Sequence, residues 1–231
     1  MTLAPRMRAV TAASNDGSPH FRDQTLAAFV DALASAAPVP GGGAAAAVAA
    51  SFAAGLVRMV AALSLGRPRY GPYEETLRRA DEAARAVDFL ALADADAAAY
   101  GAFVAALKLP RETAGEQATR GEAARAAARE AALVPLRVVR ACRDLLVAVE
   151  SIAGRSNLSA RSDVATAATL AEAAAQGAGA NVTINLPAAG DEAFAGEATA
   201  ELVGLLNEIE DLGSRARARA LGGGLRDPED G

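Results

Sequence analysis

The chain has 231 residues, enough for one large domain or two small ones with a core that needs neither disulfides nor metals. Alanine accounts for 64 residues, and because alanine is the best helix former and a poor strand former, this composition predicts an all-α fold. The net charge of −5 argues against nucleic acid as a partner, and a single cysteine (Cys142) and a single histidine (His20) argue against a disulfide framework and the usual metal sites.

Proline and glycine divide the chain into a series of helices. Residues 1–22 and 222–231 are rich in small and polar residues, which predicts two disordered ends around one helical domain at 23–221. The first 22 residues hold no apolar run typical of a signal peptide, so we expect a cytoplasmic protein. The predicted helices cover about 23–37, 41–66, 73–107, 112–153, 163–186 and 191–220.

Three local patterns qualify these helices. Pro135 lies inside the fourth helix and should kink or split it. Residues 182–186 alternate like a strand, but no partner strand exists elsewhere, so the segment is assigned as helical. The helix at 41–66 is apolar enough to suggest a membrane span, yet its alanines and glycines supply little insertion energy, which favours a buried helix and no membrane.

A run of glycines begins the second helix. Pro40 is followed by Gly41, Gly42 and Gly43, so the first N–H groups of the helix carry no side chains. Such a terminus can bind an anion or a flat ligand. Alternatively, the small residues only let two helices cross closely. A dinucleotide loop is disfavoured, because a helix and prolines precede the glycines where a strand is required.

Asp96 falls within an apolar stripe of the third helix. A carboxylate on a core-facing stripe is costly unless paired, and burial raises its pKa. Asp96 is therefore a candidate acid–base group or cation stabiliser, with a bridge to a neighbouring helix as the alternative. Asp94, about 200° around the helix, is expected in solvent. The stripe consists of Phe89, Leu92, Tyr100, Phe103 and Leu107.

Lys108 is the only lysine among 23 basic residues. A lysine kept in so arginine-rich a chain suggests a need for a compact, titratable ammonium group. The alternative is a cation favoured at a helix C-terminus by the helix dipole.

Five polar residues follow in the second half of the chain. Ser162 or Asp163 would be an ordinary N-cap for the next helix, and Asn157 lies in the turn before it. Asn181 and Asn185 share one face of an apolar helix, where buried amides need either neighbouring helices or a ligand.

Taken in chain order, these residues resemble the cyclodeaminase/cyclohydrolase family of folate enzymes. The resemblance covers about residues 23–220, and the chain departs from the family pattern at Ser156 and Ser159. The matching segments are residues 38–43, Asp96, Lys108, residues 130–136, Asn157 with Ser162 and Asp163, and residues 181–186.

The resemblance implies a homodimer, or a dimer of dimers, with a tetrahydrofolate derivative bound in a cleft to which both subunits contribute. The preferred interpretation is a formimidoyltetrahydrofolate cyclodeaminase; the alternatives are a methenyltetrahydrofolate cyclohydrolase and a non-catalytic helical scaffold. Neither reaction needs a metal or a cofactor beyond the folate itself. The implied catalytic residues are Asp96, Lys108 (a proton donor or an anchor for the substrate's tail carboxylates) and Asp163, and the implied binding residues are Pro40, Gly41, Gly42, Gly43, Asn157, Ser162, Asn181 and Asn185.

Overall fold

The structure, a computed structural model, describes residues 20–228. The disorder predicted for residues 1–19 and 229–231 lies outside the described residues. Between residues 20 and 228 the chain forms helices and no strand, which confirms the all-α prediction. The seven α-helices are α1 (Leu26–Leu33), α2 (Gly42–Ser64), α3 (Glu74–Ala86), α4 (Phe89–Leu107), α5 (Ala114–Ile152), α6 (Arg161–Asn185) and α7 (Glu192–Leu221).

Helix α6 lies at the centre of the bundle, against α2, α5 and α7. Its buried face is almost entirely small, so neighbouring helices approach closely; a Cβ at Gly177 would lie 3.4 Å from the Cβ of Ala46. Gly42 of α2 lies beside Asn181, and Ser64 bonds Asn157, so α2 and α6 run antiparallel along their whole lengths. The abundance of alanine therefore serves close helix packing.

The sequence places one helix at 73–107 where the structure has two. Helix α3 ends at Ala86, Val87 is extended, and the Asp88 side chain accepts a hydrogen bond from the Ala91 N–H at 3.0 Å as the N-cap of α4. The break has no proline or glycine to signal it; a carboxylate cap produces it.

Pro135 does not split α5, which is continuous over 39 residues. Helices α3, α4, α6 and α7 all pack against α5, and this tertiary packing offsets the hydrogen bond that proline removes. The strand-like residues 182–186 end α6 and continue into a 3₁₀ turn at Leu186–Ala189, as the helical assignment required.

The described chain is ordered before residue 23. Residues Phe21–Asp23 form a 3₁₀ turn, and the Phe21 N–H donates to Oδ1 of Asp94 at 2.9 Å. Nδ1 of His20 lies 2.8 Å from the other oxygen of Asp94. The expectation that Asp94 is solvated is therefore wrong: its side chain is only 17% exposed because it holds the N-terminal segment.

The C-terminal segment is fastened as well. The Arg226 N–H donates to the carbonyl of Gly154 at 2.8 Å, and the Tyr73 hydroxyl donates to the carbonyl of Arg226. Gly154 has φ +72°, and a Cβ there would lie 2.9 Å from Cγ of Arg226, so only glycine fits. Residues 225–228 of the predicted disordered tail thus belong to the fold; we call the contacts of Tyr73, Gly154 and Arg226 the C-terminal clip.

Two helical stretches are long and apolar enough to cross a membrane by length and composition alone, at Gly42–Ser64 and Pro68–Leu107. The first packs one side against α6 as a core helix, and the second is interrupted at Val87 and Asp88. Core helices commonly meet this criterion, so it is weak evidence for a membrane.

Candidate functional site

The N-terminus of α2 meets α4 and α6 in what we call the glycine cluster: residues 41–43, Asp96 and Asn181. Gly41 is the N-cap of α2, and it has no side chain to accept a hydrogen bond from the first turn. The first N–H groups of α2 are therefore not capped by the N-cap residue. A Cβ at Gly43 would lie 2.6 Å from Oδ2 of Asp96, and one at Gly42 would lie 3.5 Å from Nδ2 of Asn181. The glycines therefore let a carboxylate and an amide approach the helix terminus directly.

Asp96 is half-buried, and burial raises the pKa of its carboxyl above the ordinary value. A hydrogen bond from the Ala44 N–H opposes this shift by stabilising the charged form. The positive end of the α2 dipole also stabilises the charged carboxylate and therefore also lowers its pKa. A carboxyl with a raised pKa at the rim of a helix terminus can exchange a proton with a ligand or stabilise a cation.

The apolar stripe expected around Asp96 is only partly buried. Phe89 is buried, but Tyr100 is 41% exposed and Leu107 is 42% exposed. The remaining buried positions of α4 are Ala93 and Ala106. The stripe prediction is thus wrong at Tyr100 and Leu107, whereas Phe103 between them is partly buried and packs against the core.

A second group, the turn cluster, consists of Asn157, Ser162 and Asp163 before and within the first turn of α6. The Asn157 N–H donates to the Ser64 hydroxyl at 2.8 Å, and its Nδ2 donates to the Leu63 carbonyl at 3.4 Å. Oδ1 of Asn157 accepts from the Ser159 N–H at 3.0 Å. This turn is therefore fixed to the C-terminal end of α2.

The predicted N-cap at Ser162 or Asp163 is wrong. Helix α6 begins at Arg161, its N-cap is Ala160, and no side chain caps it. The 3₁₀ turn at Leu158–Ala160 leads straight into the helix, which moves the start upstream. Asp163 is half-buried in the first turn of α6, and its carboxylate has no hydrogen bond or ion pair to residues 20–228, so it remains free for a ligand.

Two predicted site residues lie apart from both clusters. Lys108 is exposed as the C-cap of α4, twelve residues and roughly 18 Å along the helix from Asp96. The amide of Asn185 donates to the Ala131 carbonyl at 2.8 Å and so connects α6 to α5, the alternative named for it above. Pro40 directly precedes the glycines, after a cis peptide bond from Val39.

The two clusters lie at opposite ends of α6. Asp163 and Asn181 are eighteen residues apart, which corresponds to roughly 27 Å along the helix. One chain therefore does not bring Asp96 and Asp163 to the same small molecule.

Sequence reasoning overlooked Ser64. Its buried hydroxyl donates to the Val60 carbonyl at 2.7 Å and accepts from Asn157, so it positions the turn cluster. The available signal was a polar residue in step with the buried Val57 and Val60 of an otherwise apolar helix. Residues 20–228 hold no group of three His, Cys, Asp or Glu side chains able to hold a metal ion; metal independence stays a prediction.

Comparison with known proteins identifies the family to which this chain is similar. The model of the formiminotransferase-cyclodeaminase family matches residues 25–203. A methenyltetrahydrofolate cyclohydrolase of Methylorubrum extorquens is 37% identical over 196 residues, 84% of this chain and 94% of that protein. A formimidoyltransferase-cyclodeaminase of Rattus norvegicus is 33% identical over 210 residues, which are 89% of this chain but only 39% of the rat protein.

Among solved structures, the formiminotetrahydrofolate cyclodeaminase of Thermotoga maritima matches with a TM-score of 0.78 and 31% identity, over 87% of this chain and 98% of that one. The fold is thus that of the helical cyclodeaminase of Thermotoga maritima. The chain belongs to the formiminotransferase-cyclodeaminase family of enzymes.

Proposed function

We propose that the protein is a methenyltetrahydrofolate cyclohydrolase, with Asp96 as its proton acceptor. This reverses the order preferred from sequence, because the cyclohydrolase relative is similar over nearly its whole length. The observation that carries the proposal is the half-buried Asp96 carboxylate at the glycine-rich N-terminus of α2, where it lies against Gly43 and accepts from the Ala44 N–H. A pKa above the ordinary carboxyl value makes that group a better proton acceptor than a solvent-exposed carboxylate.

The methenyl bridge is a cation delocalised over N5, the bridge carbon and N10. Water attacks the bridge carbon while the Asp96 carboxylate accepts a proton from it, and a neutral hydroxylated intermediate forms. The bond from the bridge carbon to one nitrogen then breaks as the hydroxyl becomes a formyl carbonyl, and that nitrogen takes up a proton. The net products are formyltetrahydrofolate and one proton released to solvent. The Asp96 charge also stabilises the cationic substrate before attack.

The second candidate is the cyclodeaminase reaction, favoured by the solved Thermotoga maritima structure. There N10 attacks the formimino carbon on N5 and passes its proton to the formimino nitrogen, and the bond between the carbon and that nitrogen then breaks. Protonated Asp96 would supply the proton that lets ammonia depart. Both reactions share the bridge carbon and the need for one acid–base group.

Parallel assays separate the two. The purified protein is given methenyltetrahydrofolate in one assay, followed by loss of its absorbance above the uncatalysed rate, and formiminotetrahydrofolate in the other, followed by ammonia release. Cyclohydrolase activity predicts turnover in the first assay with at least tenfold lower kcat/KM in the second. The reverse ratio supports the deaminase, and no turnover in either supports the scaffold alternative.

We further propose that two copies of the chain complete the site. An outer stripe of α2 is apolar and largely exposed within residues 20–228: Phe52 is 48% exposed, Met59 39% and Leu63 37%, with half-buried Leu56 between them. Steps of four, three and four residues put these side chains on one face, a spacing suited to helix pairing.

A two-fold axis near the middle of this stripe would pair α2 with its copy in antiparallel fashion. The C-terminal end of one α2, which holds Asn157, then lies opposite Ser51 of the other, roughly 13 Å along the helix from its glycines. This arrangement brings the glycine cluster of one protomer closer to the turn cluster of its partner than to its own turn cluster, which lies roughly 27 Å away along the helix, so one extended ligand can contact both. A dimer, or a dimer of such dimers, follows; location in the cytoplasm stays a prediction.

Mixed dimers test this arrangement. Asp96→Asn and Asp163→Asn chains, each inactive alone, are unfolded together and refolded. Because half the dimers are mixed and each holds one intact site of two, activity should recover to about one quarter of wild type. Asp96→Asn mixed with Asn181→Ala is the control: both changes lie in the glycine cluster, so no intact site forms. Equal recovery in the two mixtures, or none in either, contradicts the shared site.

A further inference from the structure

A cleft of about 460 Å³ lies between α5 and the start of α7. No predicted site residue lines it. Its walls are Arg125, Ala126 and Arg129 of α5, with Ala189, Gly190 and Asp191 of the connection to α7.

The two arginines of this cleft are held differently. The Arg129 guanidinium lies 3.0 Å from Oδ2 of Asp191 and 3.9 Å from the centre of the Phe194 ring, so its position is fixed. The Phe194 N–H and Arg129 together hold the pKa of Asp191 below its ordinary value, which keeps this carboxylate charged and occupied. Among residues 20–228, Asp191 is the only carboxylate that lines the cleft.

Arg125 has no such partner. Its guanidinium makes no hydrogen bond or ion pair with residues 20–228. Its aliphatic stem lies against Gly190, where a Cβ would be 3.1 Å from Cδ of the arginine. The stem is thus placed by packing while the charged head remains free for an anion. A guanidinium fork binds a carboxylate through two parallel hydrogen bonds.

The cleft lies at the same end of the bundle as the glycine cluster. Asn185, one helical turn beyond Asn181, donates to the carbonyl of Ala131 in α5, two residues beyond Arg129. From Asn181, one α-helical turn and the short 3₁₀ turn lead to Gly190, a path of roughly 14 Å. A ligand bound at the glycines can therefore extend toward Arg125.

We propose that Arg125, with Arg129 beside it, binds the glutamate carboxylates of a folate whose pterin lies at the glycine cluster. The proposal rests on the proposed function, since a folate carries its glutamate at the opposite end from its pterin, beyond a p-aminobenzoyl spacer. It assigns to Arg125 the anchoring role considered above for Lys108, whose exposed ammonium lies at the far end of α4.

The experiment compares two substrates of the whole protein: methenyltetrahydrofolate and methenyltetrahydropteroate, which lacks the glutamate. Arg125→Gln should raise KM for the first substrate about 10- to 100-fold, the range for one charged hydrogen-bonding group, and leave kcat unchanged. For the pteroate substrate both parameters should stay as in wild type. Lys108→Gln tests the rival anchor in the same way. Arg79→Gln is the matched control, because Arg79 is an exposed arginine on α3, ion-paired to Glu75.

A rise in KM for both substrates, or for neither, overturns the proposal, as does a selective rise in Lys108→Gln alone. If wild type turns over neither of these substrates nor their formimino counterparts, the proposed function fails separately. Calorimetric titration with p-aminobenzoylglutamate and with p-aminobenzoate then still decides the role of the cleft. Wild type should bind the glutamate conjugate more tightly than p-aminobenzoate, and Arg125→Gln should bind the two alike; wild type binding them alike contradicts the proposal.

Discussion

Replacing Gly43 with alanine should displace the Asp96 carboxylate and so separate its position from its charge. The added Cβ would lie 2.6 Å from Oδ2 and 2.5 Å from Cγ of Asp96, whereas ordinary contact begins at 3.4 Å. The carboxylate must therefore move by roughly 1 Å, a displacement that costs about 10²-fold in rate at a reacting group. We expect kcat to fall by about that factor for whichever substrate, methenyltetrahydrofolate or formiminotetrahydrofolate, the wild type turns over with the higher kcat/KM.

The stability of the same variant reflects two opposing effects. Alanine is favoured over glycine in a helix by roughly 0.5–1 kcal/mol, while overpacking costs about 1–3 kcal/mol. The net effect should be a loss of up to about 2 kcal/mol in the free energy of unfolding. In an Asp96→Ala background the overpacking is absent, so Gly43→Ala should stabilise, and the difference between the two backgrounds measures the contact.

Gly204→Ala is the matched control. Gly204 lies inside α7 with nothing within 4 Å of an added Cβ, so this change should stabilise by roughly 0.5–1 kcal/mol and leave turnover unaltered. Urea titrations of the four Gly43/Asp96 combinations and of the control, all at one protein concentration, provide the free energies. If Gly43→Ala behaves like Gly204→Ala in both turnover and stability, the contact with Asp96 does not exist.

Three further predictions follow from the site. Asp96→Asn should lower kcat about 10²–10⁴-fold. Burial raises the pKa of Asp96 in the folded state, so ionisation of this group lowers the free energy of unfolding as pH rises from the ordinary carboxyl pKa to the raised one. In urea titrations at several pH values, Asp96→Asn should lose this part of the pH dependence. An unchanged pH dependence would contradict the burial. Ser64→Ala leaves the Asn157 N–H without its acceptor and should cost about 1–3 kcal/mol and raise KM, whereas intact stability and KM would show that Ser64 does not position the turn. Turnover should survive prolonged EDTA treatment, and loss with rescue by a divalent ion would refute metal independence.

The helices could be predicted because their signals are local and strong. Prolines, glycines and the alanine-rich composition bound α2, α5, α6 and α7 to within a few residues, although Pro135 did not have the expected effect. The break between α3 and α4 contains no proline or glycine. It is produced by the Asp88 N-cap, and nothing in the sequence distinguishes this aspartate from one whose carboxylate is simply exposed to solvent. The same ambiguity led to Asp94 being placed in solvent.

Sequence predicted some of the residues of the candidate site, but not which of them lie close together. Residues 41–43, Asp96 and Asn181 do come together, since α2, α4 and α6 pack at one end. That the glycines lie beside Asn181 and far from Asp163 depends on the antiparallel pairing of α2 with α6, a long-range property that periodicity within single helices does not encode. Arg125 gave no signal because one arginine among many is ordinary until its neighbours are known.

The anchoring of the two chain ends has a consequence for local unfolding. The N-terminal segment is attached at Asp94, two residues from Asp96, and the C-terminal clip is attached at Gly154, three residues from Asn157. Segments near chain ends are the first to fray, so each end governs the order of one cluster independently of the other. Proteolytic nicking near residue 20 should loosen the surroundings of Asp96, while nicking near residue 226 should loosen the turn that contains Asn157. Cleavage near residue 20 would then impair proton transfer, and cleavage near residue 226 would separately impair ligand retention.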